Sequence, residues 1–310
     1  MAGDGEIRKN EMKPDSKLAS KIEGKDFIVT AEYVPPAGTS AAAVEAGAAY
    51  LRDGLTAVNA ADNVNGIAMS SLAASLALMK AGVEPVYQLV TRDRNRIALE
   101  SDLLGAASLG IKNVLCLTGY HQSLMGCPES ANVFDIDSIQ LIAAVKKMNE
   151  GSLIDGRKID GGFSMLIGAV ANPSLKPLDL NMIRLRKKIA AGASFIQTQA
   201  IFDVEAFKLW LEAARKEGLT ERAAILAGVW PLTGADEAKL LAKNYTDIDI
   251  PAGVIARLEK AGDAEAQKKE GLAICAETVK KLKGLPGLRG IHIISPANEA
   301  AVPQVMAALK

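Results

Sequence analysis

Hydrophobic and polar positions along the chain follow two periods in turn. Short runs rich in Val, Ile, Leu and Phe are separated by longer segments whose apolar residues recur at helical spacing, and the alternation repeats about eight times. The strand expectations are Phe27–Glu32, Ala57–Asp62, Pro85–Thr91, Asn113–Gly119, Phe163–Ala171, Phe195–Ile201, Ala224–Leu232 and Gly290–Ser295. Helical patterns fill the intervals at Ala41–Arg52, Met69–Lys80, Arg96–Leu109, Asp137–Glu150, Asn181–Ala191 and Val204–Lys216. Gly54, Gly82, Gly110, Gly151, Gly192 and Gly218 close them, as expected of helix C-caps in the left-handed conformation. Eight such repeats predict an α/β fold of the (β/α)8 TIM-barrel type, because a doubly wound sheet would more usually show about five or six strands. Three further helical patterns, Ala235–Tyr245, Pro251–Lys260 and Ala264–Lys283, stand as extra helices before the last strand. The interval Asp135–Gly162, with Gly156, Gly161 and Gly162, reads as an insertion forming a turn or hairpin. Residues 1–17 read as a flexible N-terminal arm and residues 18–310 as a single barrel domain.

Composition narrows the function classes. With 49% hydrophobic and 23% charged residues the chain can build a large core. Lys plus Arg and Asp plus Glu number 36 each, so no net field recruits nucleic acid or an anionic membrane. Charges run through the first twenty residues, against a secretory signal, and no apolar stretch approaches the roughly 18 residues of a spanning helix, so no membrane insertion is expected. Cys116, Cys127 and Cys275 are scattered without C-x-x-C pairing, which predicts neither disulfides nor a metal site and fits a reducing cytoplasm.

In a barrel of this kind chemistry gathers at the C-terminal ends of the strands. Glu32 closes the apolar run F-I-V-T-A-E just before Pro35 and Pro36. A carboxyl desolvated at that position has a raised pKa and suits a general acid; a pairing with a barrel lysine or arginine is the competing reading, at even weight. Asp62-Asn63 and Thr91-Arg92-Asp93 either bind a ligand or cap helices. Gly119, followed by Tyr120 and His121, permits close backbone approach of a planar or phosphorylated ligand. His121 and His292 have no partner at metal-ligand spacing and read more readily as structural. The segment after Asn172-Pro173 carries Arg184, Arg186, Lys187 and Lys188, which either hold a phosphate or form a solvated face. Gln199 ends strand six with an amide able to read a heterocycle edge. No dinucleotide, phosphate-loop, zinc-protease or nucleophile-elbow motif is present.

Three ordered stretches, V-T-A-E-Y-V-P-P at 29–36, T-R-D-R-N-R-I-A-L-E-S-D-L-L-G-A-A-S-L-G-I-K-N-V-L-C-L-T-G at 91–119 and A-G-A-S-F-I-Q-T-Q-A-I-F-D at 191–203, resemble the methylenetetrahydrofolate reductase family, flavin-dependent (β/α)8 barrels of one-carbon metabolism. The resemblance spans about residues 17–296. It implies reduction of 5,10-methylenetetrahydrofolate to 5-methyltetrahydrofolate by hydride from a reduced flavin, FAD or FMN. It implies that Glu32 is the catalytic acid that opens the five-membered ring, and that Gln199 contacts the pterin with Tyr33 and Tyr120 on the substrate side. By the same resemblance Asp62, Gln88, Thr118, Gly119, Tyr120, His121 and Asn172 surround the flavin, while Lys187 and Lys188 meet its phosphates.

Four positions depart from the family pattern. Tyr120 stands where many members have an aspartate near the flavin pyrimidine, which should raise the flavin potential unless a neighbour compensates. Asn172 replaces a tyrosine on the flavin and Asn181 an aspartate near the ribityl chain. Ala235 falls where NADH-using members carry a stacking phenylalanine. The resemblance with these departures implies electrons from a partner redox protein, such as an iron-sulfur subunit. The alternative is a catalytically weak flavin-binding or structural subunit of a larger redox complex. Association into an oligomer stays open.

Overall fold

The computed structural model describes residues 14–124, 126–245 and 247–309. Eight parallel strands close on themselves in sequence order, with β1 (Ile28–Tyr33) pairing both β2 (Ala57–Ala60) and β8 (Leu288–Ile293). Between them lie β3 (Pro85–Val90), β4 (Asn113–Leu117), β5 (Leu166–Ala171), β6 (Phe195–Ala200) and β7 (Ala224–Val229). The architecture is a (β/α)8 barrel, as the alternation predicts. Before β1 comes α1 (Lys17–Glu23), and the crossovers are α2 (Ala41–Ala48), α3 (Ser71–Lys80), α4 (Arg96–Ser108), α5 (Ser138–Asn149), α6 (Leu178–Ala191) and α7 (Val204–Lys216), the last followed by the short α8 (Leu219–Arg222). Three extra helices, α9 (Ala235–Asn244), α10 (Ala252–Lys260) and α11 (Ala264–Leu282), precede β8, and α12 (Val302–Ala307) ends the described chain. The six glycines expected as caps all have positive φ, from 67° to 131°. In the insertion, Ser152 and Lys158 form an antiparallel bridge, the expected hairpin. Among the described residues no helix is long and apolar enough to cross a membrane.

Every second residue of a strand points into the barrel, and these inward positions change character along the axis. At the N-terminal end Ile28, Ala57, Val86, Leu115, Leu166, Phe195, Ala224 and Leu226 form a dry apolar layer. Phe195 fits because Gly168 faces it: a Cβ there would lie 2.1 Å from the ring. One layer higher the inward residues are Thr30, Asn59, Gln197 and His292. Asn59 and Gln197 exchange two amide hydrogen bonds of 2.7 and 3.1 Å, Gln197 also donates to the Thr30 hydroxyl at 3.2 Å, and that hydroxyl lies 2.9 Å from His292 Nδ1. Burial pushes the His292 pKa down to about 3, so the ring is neutral at physiological pH.

The open N-terminal end of the barrel is stoppered by α1, whose Leu18 and Ala19 join the apolar layer. The boundary expected at residue 17 therefore moves: residues 1–13 lie outside the described residues, but Ser16 and Lys17 already belong to the packed barrel. Ser16 accepts from Ala19 N and donates to Asn113 Oδ1, and the Glu84 carboxylate accepts from the amides of Lys17 and Leu18 at 2.7 and 3.0 Å. Arg289 donates to the carbonyls of Lys21 and Ile22 at the other end. A seven-residue helix is too short to persist alone, and these end contacts with the barrel hold it. At the opposite end, α9–α11 build a satellite core around Leu232, Ala238, Leu241, Ile248, Leu258 and Ile274, which carries Tyr245, Asp247 and Ile248 to the barrel mouth.

Candidate active site

A cavity of about 320 Å³ opens above the polar layer, at the C-terminal end of the strands. That volume is the size of a small-molecule site. Glu32, Gln88, Thr118, Gly119, Tyr120, Asn172, Lys188 and Gln199 all line it, so most of the residues singled out from the sequence converge in space. Asn59, Gln197 and His292 form its floor, and Trp230, Tyr245 and Asp247 complete the wall.

Glu32 is half-buried because one side faces the cavity; protein encloses the rest. Burial raises its pKa, and the hydrogen bond that Gln88 Nε2 donates to Oε2 at 2.7 Å opposes the rise only in part. No lysine or arginine among the described residues lies within ion-pair distance of Glu32, which removes the competing reading. A carboxyl with one oxygen held and a raised pKa can carry a proton toward the cavity.

Four expected site residues do not reach the cavity. Tyr33 alternates to the outer face of β1, where its ring packs against Gly47 and its hydroxyl donates to Ala43 O at 3.4 Å. Asp62 is buried beneath the rim, where it accepts from Arg94 at 2.7 and 3.2 Å and from Val90 N at 3.0 Å. Its carboxylate is consumed in tying the tops of β2 and β3 together. His121 is exposed and engages Ser123 and Asn132 within its own loop. Lys187 lies on the solvent face of α6, while Lys188, one residue further round the helix, turns inward.

Lys188 donates to Val170 O, and burial followed by the nearby Arg184 charge lowers its pKa to about 8. Among the described residues no carboxylate lies within ion-pair distance of its ammonium. Lys188 also borders a second, smaller cavity of about 80 Å³ that adjoins the first and is lined by Asn172, Asn181 and Arg184. Asn181 donates to the carbonyls of Asn172 and Leu175, so it shapes the loop after β5. Gly119 has φ of +86°, and a Cβ there would sit 2.6 Å from Val90, so the backbone turn beside the cavity requires glycine.

The residue that sequence reasoning missed is Asp247. Its Oδ2 accepts from Tyr120 Oη at 2.7 Å, Asn172 Nδ2 at 2.8 Å and Gln199 Nε2 at 3.3 Å. Gln199 Nε2 donates to Tyr120 Oη at 2.8 Å as well, and the Tyr245 ring packs edge-on against Tyr120 at 5.5 Å. Burial and the adjacent Asp247 carboxylate raise the Tyr120 pKa, so the phenol stays protonated. Position 120 itself lacks a carboxylate, yet a carboxylate stands beside it. Trp230 and Tyr245 were missed too: they supply aromatic rings to the cavity, whereas Ala235 is buried at the start of α9 with its amide on Gln267.

The family profile described as methylenetetrahydrofolate reductase matches residues 17–310. The chain belongs to this family. Among curated relatives, "Probable methylenetetrahydrofolate reductase (NADPH)" of Caenorhabditis elegans is 23% identical over 80% of this chain and 35% of its own length. The 5,10-methylenetetrahydrofolate reductase of Escherichia coli strain K12 is 26% identical over 69% of this chain and 66% of its own. The chain thus spans about a third of the nematode family member and just under two thirds of the bacterial one. A solved Clostridium thermocellum protein, which binds two copies of 5-methyl-5,6,7,8-tetrahydrofolic acid, shares the barrel fold with a TM-score of 0.65 at 14% identity, covering 94% of this chain and 98% of that one.

Proposed function

We propose that this barrel reduces 5,10-methylenetetrahydrofolate to 5-methyltetrahydrofolate with a bound flavin. The observation that carries the reading is Glu32: an unpaired carboxyl of raised pKa, held by Gln88 at the floor side of a cavity whose opposite wall carries Gln199. Membership of the family supports this reaction class. Glu32 retains its proton to higher pH than an exposed glutamate and delivers it from its carboxyl oxygen to the ring nitrogen that leaves, which makes the bridging carbon electrophilic. Gln199 and Asn172 orient the heterocycle, and Val34, Leu117, Ile248 and Ile294 supply apolar wall beside it.

The residues present fit a flavin. A buried ammonium without a carboxylate partner is costly unless an anion completes it, and Lys188 with Arg184 brackets the small adjoining cavity where a phosphate of FMN or FAD would be held. When bound, the flavin supplies the hydride. Lys188 rather than Lys187 is the phosphate ligand in this reading, and Gln88, Thr118, Gly119 and Asn172 adjoin the ring.

The electron donor in this reading is a partner redox protein, because Ala235 offers no stacking ring and the chain has no separate dinucleotide motif. The test is anaerobic stopped-flow absorbance on the flavin-loaded protein. Protein reduced with dithionite should be reoxidised by 5,10-methylenetetrahydrofolate, and its flavin should bleach fast with reduced viologen and slowly with NADH or NADPH. No reoxidation by the folate refutes the activity; rapid, saturable bleaching by a nicotinamide refutes the partner donor alone.

A further inference from the structure

We infer that His292 is a ligand-binding residue of the barrel floor: its ring donates a hydrogen bond from Nε2 into the cavity and holds a carbonyl oxygen or unprotonated ring nitrogen on the deepest edge of the bound heteroaromatic ring. The inference rests on the flavin and folate reading above and adds to it a residue that the sequence presents as structural. Strand register places the ring, because β8 pairs with β1 so that His292 stands beside Thr30, two residues before Glu32. The protons of that layer then decide which imidazole nitrogen does what. Asn59 Nδ2 donates to Gln197 Oε1 at 2.7 Å, while Gln197 Nε2 gives one proton to Asn59 Oδ1 at 3.1 Å and the other to Thr30 Oγ1 at 3.2 Å. Thr30 Oγ1 therefore already accepts, and its own proton goes to the other atom in reach, His292 Nδ1 at 2.9 Å. A neutral imidazole that accepts at Nδ1 carries its proton on Nε2. Burial, which pushes the pKa down to about 3, keeps the ring in that neutral form at physiological pH.

Nε2 then holds a proton with nothing to receive it. Among the described residues no group accepts from it, and the atom is not sealed in protein, since His292 lines the cavity. The second Nδ2 proton of Asn59, on the same floor, likewise has no acceptor among the described residues. The acceptors of the layer, by contrast, each have a donor already: Thr30 Oγ1, Asn59 Oδ1, Gln197 Oε1 and His292 Nδ1. A ligand edge that brings an acceptor completes this floor, whereas an edge that brings an N–H meets another N–H. The network draws on β1, β2, β6 and β8, so the donor is held in place by the strands before a ligand arrives. Isoalloxazine and pterin rings both carry carbonyl oxygens and unprotonated ring nitrogens, so the chemistry is common to the two and the measurement separates them.

The chain has two histidines, so ring nitrogen-15 NMR on histidine-labelled protein is readily assigned, with His121→Gln removing the other ring. The ligand-free protein should show His292 protonated at Nε2 and bare at Nδ1. Oxidised FMN and 5-methyltetrahydrofolate are then added singly under argon; the compound that the floor holds should move the Nε2 resonance more than Nδ1. For that compound, titration calorimetry should separate two variants. His292→Gln keeps an N–H near the place of Nε2 and should bind within about threefold of the wild type, whereas His292→Asn reaches only the Thr30 side and should bind about tenfold more weakly. A ring protonated at Nδ1, which reversal of both amides would produce, overturns the inference. So does a ring spectrum that neither bound compound moves, or equal affinity of the wild type and His292→Asn; the folate reading survives each of these. If neither variant folds by circular dichroism, the wild-type ring spectrum decides alone. A wild-type chain that binds neither compound overturns both readings.

Discussion

Lys188 separates a ligand-binding role from a folding role most sharply. In the ligand-free chain its ammonium donates to Val170 O, and burial lowers its pKa from 10.5 to about 8. The unfolded chain holds that proton more tightly than the folded one. The buried charge therefore opposes folding in full below about pH 8, less so between about 8 and 10.5, and not at all above. At about 1.4 kcal/mol per pKa unit, the drop from 10.5 to about 8 corresponds to about 3 kcal/mol. The half-buried ammonium keeps part of its hydration at the cavity, and loss of the Val170 hydrogen bond gives back about 1 kcal/mol. Lys188→Met, of similar length, should thus stabilise the flavin-free protein by about 1–2 kcal/mol at pH 7, with the advantage shrinking to near zero by about pH 9.5. FMN or FAD should reverse the order, since a ligand at 100 times its Kd adds about 2.7 kcal/mol to the protein that binds it. Urea unfolding of both proteins at the two pH values, with and without flavin, supplies the numbers. A variant less stable than the wild type at pH 7, or a difference that does not change with pH, would refute the reasoning.

Four further outcomes follow from the same geometry. Glu32→Gln should retain folate binding yet reduce the flavin-loaded protein's folate turnover by about 10²-fold or more; stopped-flow turnover at the wild-type rate would remove Glu32 from the chemistry. In the wild type, turnover should fall as pH rises through the elevated Glu32 pKa, because only the protonated carboxyl donates; a rate that climbs across that range contradicts the assignment. Asp62→Asn should lower stability by about 3 kcal/mol, since it strips a buried, bidentate partner from Arg94 and leaves that guanidinium only Asp102 at 3.0 Å; a loss under about 1 kcal/mol in urea would show that the Asp62–Arg94 contact is not a supporting one. Leu18→Ala, at a fully buried position in the barrel stopper, should cost about 2–5 kcal/mol in the same assay, and a neutral result would mean that α1 does not seal the barrel.

The sequence by itself determined the alternation, the strand count and therefore the barrel. Strand ends were legible to within about three residues because local chemistry marks them: an apolar run stops at Glu32 before two prolines, and Gly82 or Gly110 takes the left-handed turn that ends a helix. Period-two alternation also placed Glu32 and Gln199 at the mouth, since an inward register that begins with Ile28 or Phe195 must pass through them. Only the tertiary structure decided which of two adjacent lysines meets the cavity, because consecutive residues on a helix point about 100° apart and the docking of α6 on the barrel chooses between them. It likewise withdrew Asp62, whose carboxylate is neutralised by an arginine 32 residues away, whereas Tyr33 is sent outward by the same period-two rule that brings Glu32 in. Asp247 left no local signal at all. Its place depends on three helices inserted before β8, whose packing on one another carries a single carboxylate to side chains 48, 75 and 127 residues earlier in the chain. Periodicity records which face of an element is buried; which distant groups meet there follows from closure of the barrel and from the packing of what lies beyond it.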